Sequence, residues 1–281
     1  MKVLRSISEL DLWKQENKQQ RLGFVPTMGA LHSGHFALVE TSQAECDRTL
    51  VSIYVNPTQF NNAEDLENYP STLTADLDAL RGLKVDVVYL PTEADIYPNG
   101  PVSRSFDFGT LGQFMEGAGR PGHFEGMATV VTRFFEMITP DVAFFGEKDY
   151  QQLAIIRFVV AQESWPVQIQ PVATVREEDG LAKSSRNLRL DAAQRADAGR
   201  INVLIGEWIA KGNWAQQPLE SALKSLREQL DRVPSLHTEY LVVADAHTLT
   251  PLDLVDRSQQ ARIFVAVQCG KVRLIDNYPL F

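Results

Sequence analysis

Cysteine is scarce: Cys46 and Cys269 are the two in 281 residues, far apart and in no C-x-x-C pattern. That argues against a disulfide framework and against a thiolate zinc site. No apolar run approaches the roughly 18 residues of a membrane span, and Met1-Lys2-Val3-Leu4-Arg5 leads into no long apolar core. A soluble, cytoplasmic protein without a membrane partner is expected. Positive charge is also in deficit, 27 Lys and Arg against 36 Asp and Glu, a net charge of -9. Such a chain does not neutralise a phosphate backbone, so no nucleic-acid partner is expected, although a compact nucleotide needs only a few local cations. Internal repeats and low-complexity tracts are absent too. What is present is 44% apolar residues, enough for one sizeable core or for a large domain and a small one.

Those apolar residues alternate between strand and helix patterns. Ser6 or Ser8 can cap a first helix through Leu10, Leu12 and Trp13. Residues 22–26 are uniformly apolar and read as a central strand, 49–55 read as a second buried strand, and 86–91, 141–145 and 167–171 read as three more. Helices are expected from His32, from about Thr72 with Leu73, Leu77 and Leu80 on one face, over 127–138, and over 150–160. Residues 92–126, rich in Gly and Pro, read as irregular, and a loop of that length is usually functional or mobile. The alternation predicts an α/β fold: a Rossmann-like doubly wound parallel sheet with right-handed crossovers, over residues 1–175. Beyond it lie a charged, hydroxyl-rich loop at 176–187, a helix capped by Asp191 and another started by Pro218. Strand candidates follow at 239–243, 262–267 and 272–275. They predict a smaller C-terminal α+β domain over 176–281, with the loop at its hinge.

Ligands of such sheets bind at the carboxyl ends of the strands, and polar residues gather there. The first strand runs into Met28-Gly29-Ala30-Leu31-His32-Ser33-Gly34-His35. This is a tight turn into a helix whose free N–H groups suit a phosphate, with two imidazoles on one face. Gly34, lacking a Cβ, lets a bulky group lie against the helix start. The histidines can contact phosphate, bind a metal, or be plain helix-start residues. Metal is the weakest reading, because no third ligand joins them and the spacing is not H-E-x-x-H. Asn56 and Gln59 follow the second strand, which Pro57 stops. Gly146-Glu147-Lys148-Asp149 puts a cation at a strand end, or is a surface turn. Ser184-Ser185-Arg186 suits a polyphosphate, or is part of a solvated linker. Gln59 and Gln152 can bond hydroxyl and carboxylate groups without charge. Each residue has a structural alternative, and their convergence at strand ends argues for an active site.

The convergence has a familiar form. His-x-Gly-His after the first strand resembles the nucleotidyltransferase superfamily. The segments 26–35, Val55-Asn56-Pro57-x-Gln59-Phe60, Arg120-Pro121-Gly122-His123-Phe124, 146–153 and Asp179-Gly180-Leu181-Ala182-x-Ser184-Ser185-Arg186-Asn187 together resemble the pantothenate synthetase (pantoate–β-alanine ligase) family. So does the run from Gly270 to Asn277, and the resemblance covers essentially the whole chain.

That resemblance implies an ATP-dependent ligation of pantoate and β-alanine through a pantoyl adenylate. It implies His32 and His35 on the phosphate oxygens, with His35 as proton donor, and Lys148, Ser184, Ser185 and Arg186 on the triphosphate, Arg186 swinging in on the hinge loop. Met28, Gly146, Asp149 and Val175 would line the nucleotide site, together with Gly29, Ala30, Leu31, Ser33, Gly34, Glu147 and Lys183. Gln59 and Gln152 would hold pantoate, and Gln59 would lie near β-alanine. Mg²⁺ would sit on the phosphates with Asp76 as the nearby carboxylate. A homodimer is implied as well, with 176–281 as a lid. Three positions depart from the family pattern: Ser71, where many relatives carry arginine, Ala75, acidic in some, and Arg189, often aromatic. Two other readings stand beside this one. One is an adenylyltransferase acting on a phosphorylated substrate, which the uncharged Gln59 and Gln152 disfavour. The other is a non-catalytic nucleotide-binding module, which the intact His32, His35, Lys148 and Arg186 disfavour.

Overall fold

A computed structural model describes residues 1–256 and 258–281, including all their side chains except those of 63, 65 and 216. The chain forms two compact units. The first comprises 1–108, 120–147 and 152–173; the second comprises 109–119, 148–151 and 174–281.

The first unit is built on a six-stranded sheet. Its strands are β1 (Lys2–Leu4), β2 (Leu22–Thr27), β3 (Arg48–Ile53), β4 (Val87–Tyr89), β5 (Val142–Gly146) and β6 (Gln168–Val172), in the order β1-β4-β3-β2-β5-β6. Every pair is parallel. The α/β, Rossmann-like expectation holds, and the strands expected from the apolar runs are present. β1 lies outside that expectation: three residues carry no period, and its place comes from pairing Val3 with Val88. Consecutive residues of a strand face opposite sides, and Phe24 and Val25 are both 0% exposed, so β2 is covered on both faces.

Pro26 sits inside this central strand without an N–H to donate. β2 pairs with β3 through Thr27, but with β5 only at Gly23 and Phe24. The proline therefore falls where the β2–β5 ladder has already ended, and the sheet parts there. Strand order reverses at the same place, since β2 has β3 on one side and β5 on the other. That is the crevice where open parallel sheets take their ligands.

The stretch 92–126 is more regular than its Gly and Pro content suggests. It holds short helices at Glu93–Ile96 and Glu116–Gly119 and a 3-10 turn at Gly109–Gly112. The helix expected over 127–138 is His123–Ile138, started one turn earlier by Gly122 at φ +80°. Arg120-Pro121-Gly122 punctuates the chain without postponing the helix.

The second unit carries an antiparallel sheet of β7 (Leu236–Asp245), β8 (Ala261–Cys269) and β9 (Val272–Pro279), in that order. Its long helices are Ala192–Lys211 and Leu219–Asp231. Asp191 caps the first in a capping box with Gln194, and Pro218 precedes the second. Segments 109–119 and 148–151 join this unit through buried polar bonds. Arg273 donates to both Glu116 oxygens at 2.7 Å, and the Tyr240 hydroxyl donates to Oε1 at 2.8 Å. Gln151 accepts the Glu116 N–H and donates to the carbonyls of Leu111 and Phe114. Among the described residues no helix is long and apolar enough to cross a membrane. Cys46 and Cys269 are free thiols, and burial pushes the Cys269 thiol up to about 11.

Candidate active site

The loop after β2 turns through left-handed backbone at Gly29 (φ +80°) and Ala30 (φ +50°). That turn aims two consecutive N–H groups at one carboxylate. Ala30 donates to Asp76 Oδ2 at 2.9 Å and Leu31 to Oδ1 at 2.8 Å, and the Thr72 hydroxyl reaches Oδ2 at 3.1 Å. Asp76 is 4% exposed, and a Cβ on Gly29 would stand 3.1 Å from Oδ2. The loop is thus tied down by a carboxylate on the helix Leu73–Gly82.

The helix Ser33–Glu45 begins as expected, with His32 as N-cap, but its free N–H groups are fewer than the sequence suggested. His32 Nδ1 accepts the Gly34 N–H at 3.1 Å, and His35 Nδ1 accepts the His32 N–H at 3.3 Å. Two imidazoles thus form a reciprocal capping box. A neutral imidazole carries one proton, and a nitrogen that accepts cannot hold it. Both rings therefore carry it on Nε2. The ring centroids are 4.2 Å apart. With Ala30, Leu31, His32 and Gly34 spending their N–H groups inside the loop, the donors this motif offers an anion include two imidazole Nε2–H groups.

β3 leads into a 3-10 turn, Pro57–Gln59, held by a buried network. Tyr97 Oη donates to Asn56 Oδ1 at 2.6 Å and lies 2.7 Å from Thr58 Oγ1. Asn56, 1% exposed, donates from Nδ2 to the Gly126 carbonyl at 3.1 Å and to Gln59 Oε1 at 3.3 Å. Gln59 Nε2 lies 2.8 Å from Met28 Sδ, which brings the ends of β2 and β3 together. Gly126 allows this packing: a Cβ there would lie 2.3 Å from the Thr58 carbonyl oxygen, and backbone cannot yield as a side-chain tip does. Gly126→Ala should lower unfolding free energy by about 1–3 kcal/mol, seen as a lower denaturant midpoint at unchanged slope.

At the third strand end, Gly146 closes β5 and Glu147 opens the 3-10 turn Glu147–Asp149. Gln152 follows in the helix Tyr150–Gln162 and is half-buried. Met28 to His35, Gln59 and Gly146 thus stand at the carboxyl ends of β2, β3 and β5, three neighbouring strands.

The remaining candidates belong to the second unit. Lys148 Nζ is 3.3 Å from Asp149 Oδ1, and its carbonyl accepts from Asn277 Nδ2 on β9 at 3.0 Å. The Val175 carbonyl accepts the Lys183 N–H at 2.9 Å, closing the loop at its base. Arg176 donates to both Asp276 oxygens at 2.7 and 3.1 Å and to the Gly180 carbonyl at 3.0 Å, with its guanidinium over the Tyr278 ring. Near the tip, Arg195 pairs with Asp179 and holds that carboxyl below the usual range. Lys183 Nζ is paired with Glu177, and Ser184 Oγ accepts the Arg186 N–H at 3.3 Å at the start of the 3-10 turn Ser185–Arg189. Rather than a solvated linker, the loop carrying Ser184 to Arg186 is fastened at base and tip within its own unit. The pairing of Arg176 with Asp276 and of Arg195 with Asp179 gave no signal in the sequence, since the partners lie up to 100 positions apart.

Residues 2–279 match the family model described as pantoate-beta-alanine ligase. The chain belongs to the pantoate–β-alanine ligase family. The ligase is 41% identical over 279 residues to a pantothenate synthetase of Porphyromonas gingivalis, covering 99% of this chain and 98% of that one. It is 47% identical over 264 residues to one of Mycolicibacterium smegmatis, covering 93% and 81%. Among solved structures, a pantothenate synthetase of Thermus thermophilus matches with TM-score 0.91 and 39% identity over 100% of both chains. A pantoate-beta-alanine ligase of Francisella tularensis, complexed with beta-gamma ATP and β-alanine, matches with TM-score 0.85 and 36% identity over 100% of this chain and 98% of that one. As a family member, the ligase is an enzyme that joins pantoate and β-alanine to pantothenate using ATP. Of its departures, Ser71 precedes the helix Leu73–Gly82, Ala75 stands beside Asp76, and Arg189 ends the turn after Ser185.

Proposed function

We propose that the ligase works in two half-reactions. The pantoate carboxylate attacks the α-phosphorus of ATP, giving pantoyl adenylate and pyrophosphate. The β-alanine amine then attacks the mixed anhydride, giving pantothenate and AMP. No protein nucleophile is needed, so positioning and charge stabilisation carry the catalysis. The observation that bears most on this reading is the imidazole capping box, which fixes the neutral rings of His32 and His35 as Nε2–H donors. We assign those donors to the phosphate oxygens as charge moves onto the leaving pyrophosphate; a neutral imidazole that lost its Nε2 proton would be left an anion, so His35 acts here as a hydrogen-bond donor and keeps its proton, in place of the proton-donor role the resemblance implied.

Lys148 and Arg186 supply positive charge to the triphosphate, and Ser184 and Ser185 supply hydroxyls. Met28 to Leu31, Ser33, Gly34, Gly146, Glu147, Asp149, Val175 and Lys183 complete the nucleotide contacts. Lys183 does so through its backbone carbonyl, since Glu177 engages its ammonium and Val175 its N–H. Gln59 and Gln152 hold pantoate, and Gln59 also serves β-alanine. The nucleotide- and pantoate-binding domain is assigned to 1–175, apart from 109–119, 148–151 and 174–175, which pack with the second unit, and the C-terminal domain bearing the Ser184–Arg186 loop to 176–281. A cytoplasmic homodimer is the setting that the family resemblance supports.

Mg²⁺ is proposed to enter on the triphosphate and to neutralise its charge there. The protein side offers it little. Among the described residues no group of three or more His, Cys, Asp or Glu side chains could hold a metal ion, and Asp76 already accepts three hydrogen bonds in a buried place. Asp76 is therefore assigned to the loop rather than to the metal.

Isotope exchange between pyrophosphate and ATP should proceed with pantoate and Mg²⁺ alone, while AMP release should also need β-alanine. An exchange that required the amine would overturn the adenylate order.

A further inference from the structure

Gln59 sits on a turn whose backbone is held by side chains to which the sequence assigned no role. His123, 7% exposed, opens the helix His123–Ile138, and its Nδ1 lies 2.8 Å from the Gln59 carbonyl oxygen. A carbonyl oxygen only accepts, so the Nδ1 of this ring carries a proton. Arg120 Nη1 stands 3.1 Å from His123 Nε2, and a guanidinium only donates, so Nε2 is the acceptor. These two contacts fix a neutral ring in the tautomer opposite to that of His32 and His35. Arg120 Nη2 adds a longer bond, 3.4 Å, to the same Gln59 carbonyl. From the other side Asn56, Tyr97 and Thr58 close their own network on the turn, and Gly126 lets the helix backbone approach it. The Gln59 amide thus projects from a peptide held on both sides.

We infer that His123, backed by Arg120, is a positioning residue for pantoate: its Nδ1–H on the Gln59 carbonyl sets where the Gln59 amide meets the substrate. The inference rests on the role proposed above for Gln59. Reactive geometry tolerates little slack, and a displacement of about 1 Å costs up to about 10²-fold. Losing the 2.8 Å bond leaves the half-buried carbonyl with the longer Arg120 contact, so the turn relaxes and the amide moves with it. A purely structural role at the helix start would instead lower stability and leave substrate affinities alone.

Two conservative variants separate these roles. Asparagine places its amide nitrogen near the position of Nδ1 and keeps the donor to Gln59; glutamine places it near Nε2 and does not. In pantoate-dependent pyrophosphate exchange without β-alanine, His123→Gln should raise the pantoate KM about tenfold and leave the ATP KM within about twofold. His123→Asn should stay near the parent enzyme. Arg120→Met, which keeps the imidazole, should raise the pantoate KM about threefold and covers the case in which His123→Gln folds poorly. Equal effects of Asn and Gln at 123, parallel rises in both KM values, or a lower Tm with an unchanged pantoate KM would each overturn the inference. Gln59→Ala is run alongside. If it leaves the pantoate KM unchanged, the role of Gln59 fails and the inference with it. If it raises that KM while His123→Gln does not, only the positioning role fails.

Discussion

His35→Asn is expected to slow adenylation by roughly 10²–10³-fold, the loss seen when one donor to developing negative charge is removed. ATP affinity and fold stability should change little. Asparagine Oδ1 sits where Nδ1 does on the side chain, so it can still accept the His32 N–H and keep the capping box. Asp95 plays that part with an equally short side chain at the start of the helix Glu93–Ile96. What disappears is Nε2–H alone. Alanine at this position would remove the cap as well, at about 1 kcal/mol, and would mix the two effects. The measurement is pantoate-dependent pyrophosphate exchange set beside calorimetric ATP binding. Equal losses in both would make His35 a binding residue and not a catalytic one.

The second large effect is expected at Asp76. Asp76→Asn should destabilise the protein by about 3 kcal/mol and take most of the activity with it. An amide offers one acceptor oxygen in place of two, turns N–H against N–H at Ala30 or Leu31, and gives up charge-assisted bonds worth about 1.5–3 kcal/mol each. The loop that aims His32 then loses its anchor. Because the carboxylate acts on the backbone, raising Mg²⁺ should not restore the rate. Recovery of exchange activity on Mg²⁺ titration would make Asp76 a metal ligand and overturn the anchoring role.

How much of this was legible in the sequence differs by residue. Strands buried on both faces announce themselves by apolar runs, so β2 to β5 could be placed, and β6 by its place after a helix, whereas the three residues of β1 could not. His32 as an N-cap and the helix behind it follow from local pattern, because caps and turns involve neighbours in the chain. The tautomers of His32 and His35 do not, since they depend on which ring nitrogen meets which N–H. Nor does the loop at 176–187, whose composition suggests a linker although Asp276 and Arg195 fasten it. Asp76 illustrates the difficulty most plainly. A carboxylate near a phosphate-binding motif suggests a metal ligand, and nothing in the sequence shows the three donors that it accepts from.

By itself the sequence determined the α/β order of elements, the family through its ordered motifs, and the residues at the strand ends. All of these rest on spacing along the chain, which a period or a motif records. Only the tertiary structure decided which acceptor took each donor. Leu31 and Asp76 are 45 positions apart, Gln59 and His123 64, Arg176 and Asp276 100. A buried polar group must find a partner, but the rule does not say which one. That choice waits on packing, and here packing gave one carboxylate to the backbone, two imidazoles Nε2 protons, and a third imidazole the opposite tautomer beneath Gln59.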